Sequence, residues 1–192
     1  MIGMNGKEKF IYGKEEMPFD LQDFWKYKYS SVYNLQEYIA EYLVEKALEM
    51  EYSYNADSWT LFDILYRNTR IEIKQTSYYH PWNEGGKISN QRTFGITMAN
   101  SNRENINSEE NKFERQNDIY VFCLNNGKTK ETANPMNLEN WRFYIVPTKV
   151  INEECGKNKS ISLNKVRKIG VEVGFFRIKQ YIDYLIDDNK LY

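Results

Sequence analysis

Two short apolar runs, Trp59-Thr60-Leu61-Phe62-Asp63-Ile64-Leu65-Tyr66 and Arg70-Ile71-Glu72-Ile73-Lys74-Gln75-Thr76, flank a polar break at Asn68. They constrain the fold more than any other stretch. A strand sends alternate side chains to opposite faces, so Ile71 and Ile73 share one face while Glu72 and Lys74 share the other. A tight turn at Asn68-Thr69 would pair Arg67 with Arg70, setting Asp63 opposite Lys74 and diagonal to Glu72, with neighbours roughly 5–8 Å apart. Phe62 and Ile64 then join the apolar face. One hairpin buries one side and gathers two carboxylates and an ammonium on the other, an arrangement suited to a divalent metal and a phosphodiester.

At 192 residues the chain is long enough for one domain with a real core. Its hydrophobic share of 41% and its 16 Tyr and 10 Phe exclude a disordered composition. No apolar run approaches the roughly 20 residues that span a bilayer. The start, Met1-Ile2-Gly3-Met4-Asn5-Gly6-Lys7-Glu8, lacks the apolar core of a signal peptide, so the expected location is cytoplasmic. A single histidine, His80, and two isolated cysteines, Cys123 and Cys155, leave no multi-histidine or CxxC metal site. With a net charge of −1, any nucleic-acid surface has to be a local basic patch.

Residues 1–30 mix charges and aromatics and read as an arm packed on the domain. From Asn34 the pattern is helical: Leu35, Tyr38, Ile39, Tyr42, Leu43, Ala47 and Met50 recur at spacings of three and four. Further strands are expected at Arg92–Thr97, Asp118–Leu124 and Trp141–Pro147, with a polar surface loop over 99–117. A short helix is expected at Asn164–Ile169, and Ile178, Tyr181, Ile182 and Leu185 mark a C-terminal amphipathic helix. The order helix, hairpin, strands, helix predicts a mixed α+β (α/β) layer fold, a central mixed sheet flanked by helices.

Three acidic-x-Lys triplets occur: Glu72-Ile73-Lys74, Glu110-Asn111-Lys112 and Asp188-Asn189-Lys190. Only the first lies in an apolar strand beside a second strand with an Asp. A cross-strand ion pair on a solvated face, worth about 0–1 kcal/mol, explains these residues without chemistry. The wider pattern is a helix carrying Glu41, then Asp63 on an apolar strand, then Glu72-Ile73-Lys74 on the next. Over about residues 31–150 it resembles the PD-(D/E)XK, or restriction-endonuclease-like, nuclease superfamily. The run Ile71-Glu72-Ile73-Lys74-Gln75-Thr76-Ser77-Tyr78, with Trp82 following, is similar to an uncharacterised bacterial branch of it. Phe62 stands where the superfamily often has Pro. The resemblance implies that residues 31–192 form a nuclease-like domain acting as a metal-dependent DNA endonuclease in restriction, defence or repair. It makes Asp63, Glu72 and the Ile73 carbonyl ligands of Mg²⁺ or Mn²⁺, Lys74 the catalytic lysine, and Glu41 a supporting ligand. It is compatible with a homodimer. Gln75 points to the opposite face in an ideal strand and is a weaker catalytic candidate.

For substrate contacts, Tyr78, Tyr79 and Trp82 are candidate stacking residues, with ordinary packing as the competing role. His80 reads as a turn residue before Pro81. Lys157, Lys159, Lys165, Arg167 and Lys168 form the best candidate phosphate-contacting segment, and Arg67, Arg70, Arg92 and Arg115 are further candidates. Two other functions compete. One is a catalytically silent nuclease fold that binds nucleic acid or assembles with partners; the other is a protein-interaction domain whose carboxylates merely pair with Lys and Arg.

Overall fold

A computed structural model describes residues 5–29, 35–50, 62–79, 92–100 and 113–191. The chain divides into two compact units, Met1–Leu35 and Gln36–Tyr192. The first is built from an antiparallel hairpin, β1 (Lys9–Tyr12) and β2 (Glu15–Asp20), followed by α1 (Leu21–Lys28). Asp20 and Asp23 cap α1 reciprocally, each side chain accepting from the other's backbone N–H at 3.0 and 3.2 Å. The expected arm thus has regular structure.

The second unit opens with α2 (Gln36–Ala47), β3 (Ile64–Tyr66) and β4 (Thr69–Ser77). Short pieces β5 (Thr93–Gly95), β6 (Ala99–Asn100) and β7 (Phe113–Glu114) precede the long strands β8 (Ile119–Asn125) and β9 (Trp141–Pro147). Then come α3 (Thr148–Cys155), β10 (Ser160–Ser162), α4 (Leu163–Ile169), β11 (Val171–Val173) and α5 (Ile178–Asp187). The central sheet has the order β11-β9-β8-β4-β3, with β4 and β8 parallel and the other pairs antiparallel. The fold is mixed α+β. Arg70 holds the start of β4 to β8: its N and Nε donate to Asp118 Oδ2 at 2.9 and 3.0 Å, and its Nη2 to Oδ1 at 2.7 Å.

Both faces of the sheet are covered, which is why all of β8 is buried. On one face Ile71, Ile73, Ile119, Val121, Cys123, Phe143 and Ile145 pack against Ala40, Leu43 and Val44 of α2 and Ile178, Ile182 and Leu185 of α5. On the other, Tyr120, Phe122, Leu124, Tyr144 and Val146 meet Phe94 and Ile96, Ile151 of α3, Ile161 of β10, and Leu163 and Val166 of α4. Each fully buried Ile or Phe contributes about 1.5–3 kcal/mol. On α2 the inward stripe is Gln36, Ala40, Leu43 and Val44, while Tyr38 and Tyr42 are exposed, contrary to the helical pattern read from the sequence.

The hairpin forms, but its turn is Arg67-Asn68 rather than Asn68-Thr69. Tyr66 pairs with Thr69, Leu65 with Arg70 and Ile64 with Ile71. A two-residue hairpin turn of this kind needs positive φ at both positions, and Arg67 and Asn68 adopt 48° and 63°. Asn tolerates that region; the β-branched Thr69 would be strained there, and it is buried in β4 instead. Continued past Ile64, this register brings Asp63 level with Glu72, not Lys74. The displacement is two residues, so the faces are unchanged.

Candidate active site

The short strand β3 begins just after Asp63, and there the ladder changes character. Asp63 N donates to Ile71 O at 3.0 Å. Ile73 N, which would otherwise need a carbonyl from the neighbouring strand, donates to Asp63 Oδ2 at 2.6 Å. A strand N–H lies in the plane of the sheet, so its acceptor does too: the Asp63 carboxylate occupies the sheet edge rather than either face. The Ile73 carbonyl, on the same side of the strand as its own N–H, points to that edge.

Glu72 and Lys74 are in register with Tyr120 and Phe122 and share their face. They pair directly, Lys74 Nζ lying 2.5 Å from Glu72 Oε1. Gln75, in register with the buried Cys123, projects from the α2 face, as its parity requires. Its Nε2 donates to Gln36 Oε1 at 3.0 Å. Glu41 stands on α2, one helical turn beyond Glu37, near enough to feel the charges of Asp63 and Lys74. The sequence-predicted residues are therefore gathered around the end of β3: Glu72 and Lys74 from one face, Glu41 and Gln75 from the other, Asp63 between them.

Electrostatics tie the group together. Burial, then the charges of Asp63, Glu37 and Glu45, push the Glu41 carboxyl up to about 7, with Lys74 opposing. Burial also raises Asp63, partly offset by the Ile73 N–H and Lys74. Glu72 is raised by burial and then by Asp63, despite its ion pair. For Lys74, burial alone would favour the neutral amine, but Glu72, Asp63 and Glu37 outweigh it and hold the ammonium above its ordinary value. The Cys123 thiol, pushed up mainly by burial, feels both Asp63 and Glu41.

The donor set consists of hard oxygens: three carboxylates and a backbone carbonyl. Among the described residues, no three His, Cys, Asp or Glu side chains stand close enough together to hold one ion. Mg²⁺ does not require three, since it binds through one or two carboxylates, retained waters and a substrate phosphate. Asp63 and Glu72, at the edge and beside it, fit that chemistry.

Other candidates are placed differently. Tyr78 and Tyr79 are each 7% exposed, so their rings are packed in the interior and not presented for stacking on bases. Trp82 and His80 lie outside the described residues, as does the Glu110-Asn111-Lys112 triplet. Asp188 closes α5 and pairs with Lys190 at 2.9 Å. Lys157, Lys159, Arg167 and Lys168 are exposed on the turn before β10 and the last turn of α4, on the sheet face that carries Glu72 and Lys74. Lys165 is paired with Glu154. The candidate arginines are engaged. Arg67 bridges Asp183 and Asp187, and Arg70 grips Asp118. Arg92 donates to Tyr78 O, and Arg115 is buried among neutral acceptors. Sequence reasoning missed Gln36; the available signal was an amide at a position spaced four before Ala40 on the buried stripe of α2.

Among the described residues, no helix is long and apolar enough to cross a membrane. Compared with protein-family models, with curated proteins and with solved structures, the chain matches none.

Proposed function

We propose that this protein is a divalent-metal-dependent DNA endonuclease with a restriction-endonuclease-like core, serving restriction, defence or repair. The observation that carries the reading is the Asp63 carboxylate, fastened in the sheet plane by Ile73 N–H between the Glu72–Lys74 pair and Glu41. Asp63, Glu72 and the Ile73 carbonyl would hold Mg²⁺ or Mn²⁺, with Glu41 in support. Such an ion supplies Lewis-acid polarisation of the phosphate and a bound water of lowered pKa. Lys74 stays protonated at neutral pH. Released from Glu72, its ammonium would sit against a phosphate oxygen, orient the attacking water and offset charge that develops on the phosphorus centre. Glu41, close to half-protonated at neutral pH, would hold a proton when no cation is near and give it up when one binds. The exposed Lys157, Lys159, Arg167 and Lys168 lie on the Lys74 face and suit contacts with the substrate backbone, which position a duplex without reading its sequence.

A second reading, a silent nuclease fold that binds nucleic acid, draws on the closed Glu72–Lys74 pair. One experiment separates the two. Purified protein is incubated with supercoiled, linear and single-stranded DNA in Mg²⁺ or Mn²⁺, with Lys74→Ala as control and Mn²⁺ binding followed by calorimetry. Nicking that falls at least about 100-fold in Lys74→Ala, and Mn²⁺ binding lost in Asp63→Ala, are expected. Absence of both activity and Mn²⁺ binding in the wild type would refute the enzyme.

A further inference from the structure

Gln36 is 4% exposed on the inward stripe of α2, and among the described residues its Nε2 has no hydrogen-bond partner. A buried amide left half-satisfied is costly, and a leucine would fill the same position without the orphaned donor. Its one hydrogen bond is the acceptance from Gln75 Nε2 at 3.0 Å. That bond consumes the donor end of Gln75. Among the described residues no donor reaches Gln75 Oε1. The amide is planar, so an oxygen opposite a nitrogen tied to the helix is turned away from the buried stripe. Gln75 follows Ile73 by two residues, roughly 6–7 Å along the strand from the Asp63 cap. A hydrated cation held at Asp63 spans much of that gap, because each retained water lies about 2 Å from the ion and needs an acceptor about 2.8 Å further out.

Building on the nuclease reading, we infer that Gln36 is a positioning residue. It tethers Gln75 by its nitrogen so that the Gln75 carbonyl oxygen serves as a neutral acceptor for water bound to the catalytic cation. A neutral oxygen is the appropriate acceptor here, since a further carboxylate would add repulsion beside Glu37, Glu41, Asp63 and Glu72. Gln36 keeps its unsatisfied nitrogen because the oxygen of the same amide sets the orientation of Gln75.

The test is a double-mutant cycle of Gln36→Leu, Gln75→Leu and the pair, read by apo thermal unfolding, Mn²⁺ calorimetry and plasmid nicking. Gln36→Leu is expected to melt no lower than wild type, to bind Mn²⁺ about ten-fold more weakly, and to lose kcat while KM for DNA stays within about two-fold. Gln75→Leu is expected to show the same losses of Mn²⁺ affinity and kcat but to melt lower, since it leaves the buried Gln36 amide wholly unpaired, and the double variant to be no worse than either single in Mn²⁺ binding and kcat, because Gln36 acts only through Gln75. Losses that multiply in the double variant would overturn the inference, as would wild-type Mn²⁺ affinity in Gln75→Leu, a variant that leaves α2 intact should Gln36→Leu fail to fold. Wild-type protein that nicks DNA while the glutamine variants match it overturns this inference alone. Wild-type protein that neither binds Mn²⁺ nor nicks overturns the nuclease reading and this inference with it.

Discussion

Replacing Glu41 with Gln preserves the size and reach of the side chain and removes a titrating proton. Burial first, then Asp63, Glu37 and Glu45, carry the Glu41 carboxyl from 4.5 to about 7 in the folded protein. Between those two values the native state retains a proton that the unfolded chain has released, so stability falls as pH rises across the window and levels off above it. At about 1.4 kcal/mol per pH unit, the gap corresponds to about 3 kcal/mol, or about 2–3 kcal/mol once residual solvent contact is allowed for. Glu41→Gln escapes this loss. The variant is therefore expected to match wild type near pH 4.5 and to exceed it progressively, levelling off above about pH 7.5. In a chain of this length that amounts to a rise in Tm of about 4–10 °C. The assay is thermal unfolding of both proteins in EDTA from pH 4.5 to 8.5. A difference in Tm between the two proteins that does not change with pH, or one that favours the wild type at pH 8, would refute the clustering of carboxylates on which the reasoning rests. Adding Mn²⁺ at pH 8 should raise the wild-type Tm more than that of the variant, because only the wild type has the full set of charges for the ion to relieve.

Two predictions concern the scaffold. Arg115, 7% exposed, donates to Ile96 O at 3.1 Å, Asn152 Oδ1 at 2.7 Å, Gly156 O at 2.9 Å and Asn158 O at 3.1 Å. Arg115→Ala strands these acceptors and should cost about 2–4 kcal/mol by urea denaturation; a loss below about 1 kcal/mol would mean that water replaces the guanidinium. At Gly127 an added Cβ would lie 2.2 Å from Thr132 O and 2.3 Å from Ala133 Cα, both backbone atoms that cannot swing aside. Gly127→Ala is expected to destabilise by at least about 2 kcal/mol, and an unchanged urea midpoint would contradict that packing.

What the sequence made legible was whatever local periodicity encodes. Strands β4, β8 and β9 and helix α5 follow from alternation and three-four spacing, and Glu72, Lys74 and Gln75 took the faces that parity assigns. Turn chemistry set the register, and the choice between Asn68-Thr69 and Arg67-Asn68 depends on which residue accepts positive φ, a preference that apolar patterning does not express. Helix α3 went unread because its buried positions, Thr148, Ile151 and Cys155, include two polar or weakly apolar types. The engagement of Arg67, Arg70 and Arg115 depends on partners 19 to 120 residues away along the chain. The capping of Ile73 N–H by Asp63 arises only because the ladder of β3 starts at Ile64, and nothing in the run Phe62-Asp63-Ile64 announces that start.

The chain contains its own comparison for deciding whether Asp63, Glu72 and Glu41 are more than structural ion-pair partners. Asp118, gripped by Arg70, and Asp183, shared by Arg67, Lys179 and Tyr66, are both held below the ordinary carboxylate value: burial pushes them up, and their partners more than compensate. Those are pairs that brace the fold. At the end of β3 the balance reverses. Glu72 is raised even with Lys74 2.5 Å away, Asp63 is raised even with a backbone N–H on its oxygen, and Glu41 rises to about 7. A single ammonium cannot neutralise three half-buried carboxylates. Among the described residues, the fold therefore concentrates negative charge at one sheet edge without the protein cations that it supplies elsewhere, and perturbation of this kind is a mark of functional sites. In the proposed nuclease a divalent cation would supply the missing charge, take hard oxygen ligands and bring a phosphodiester with it.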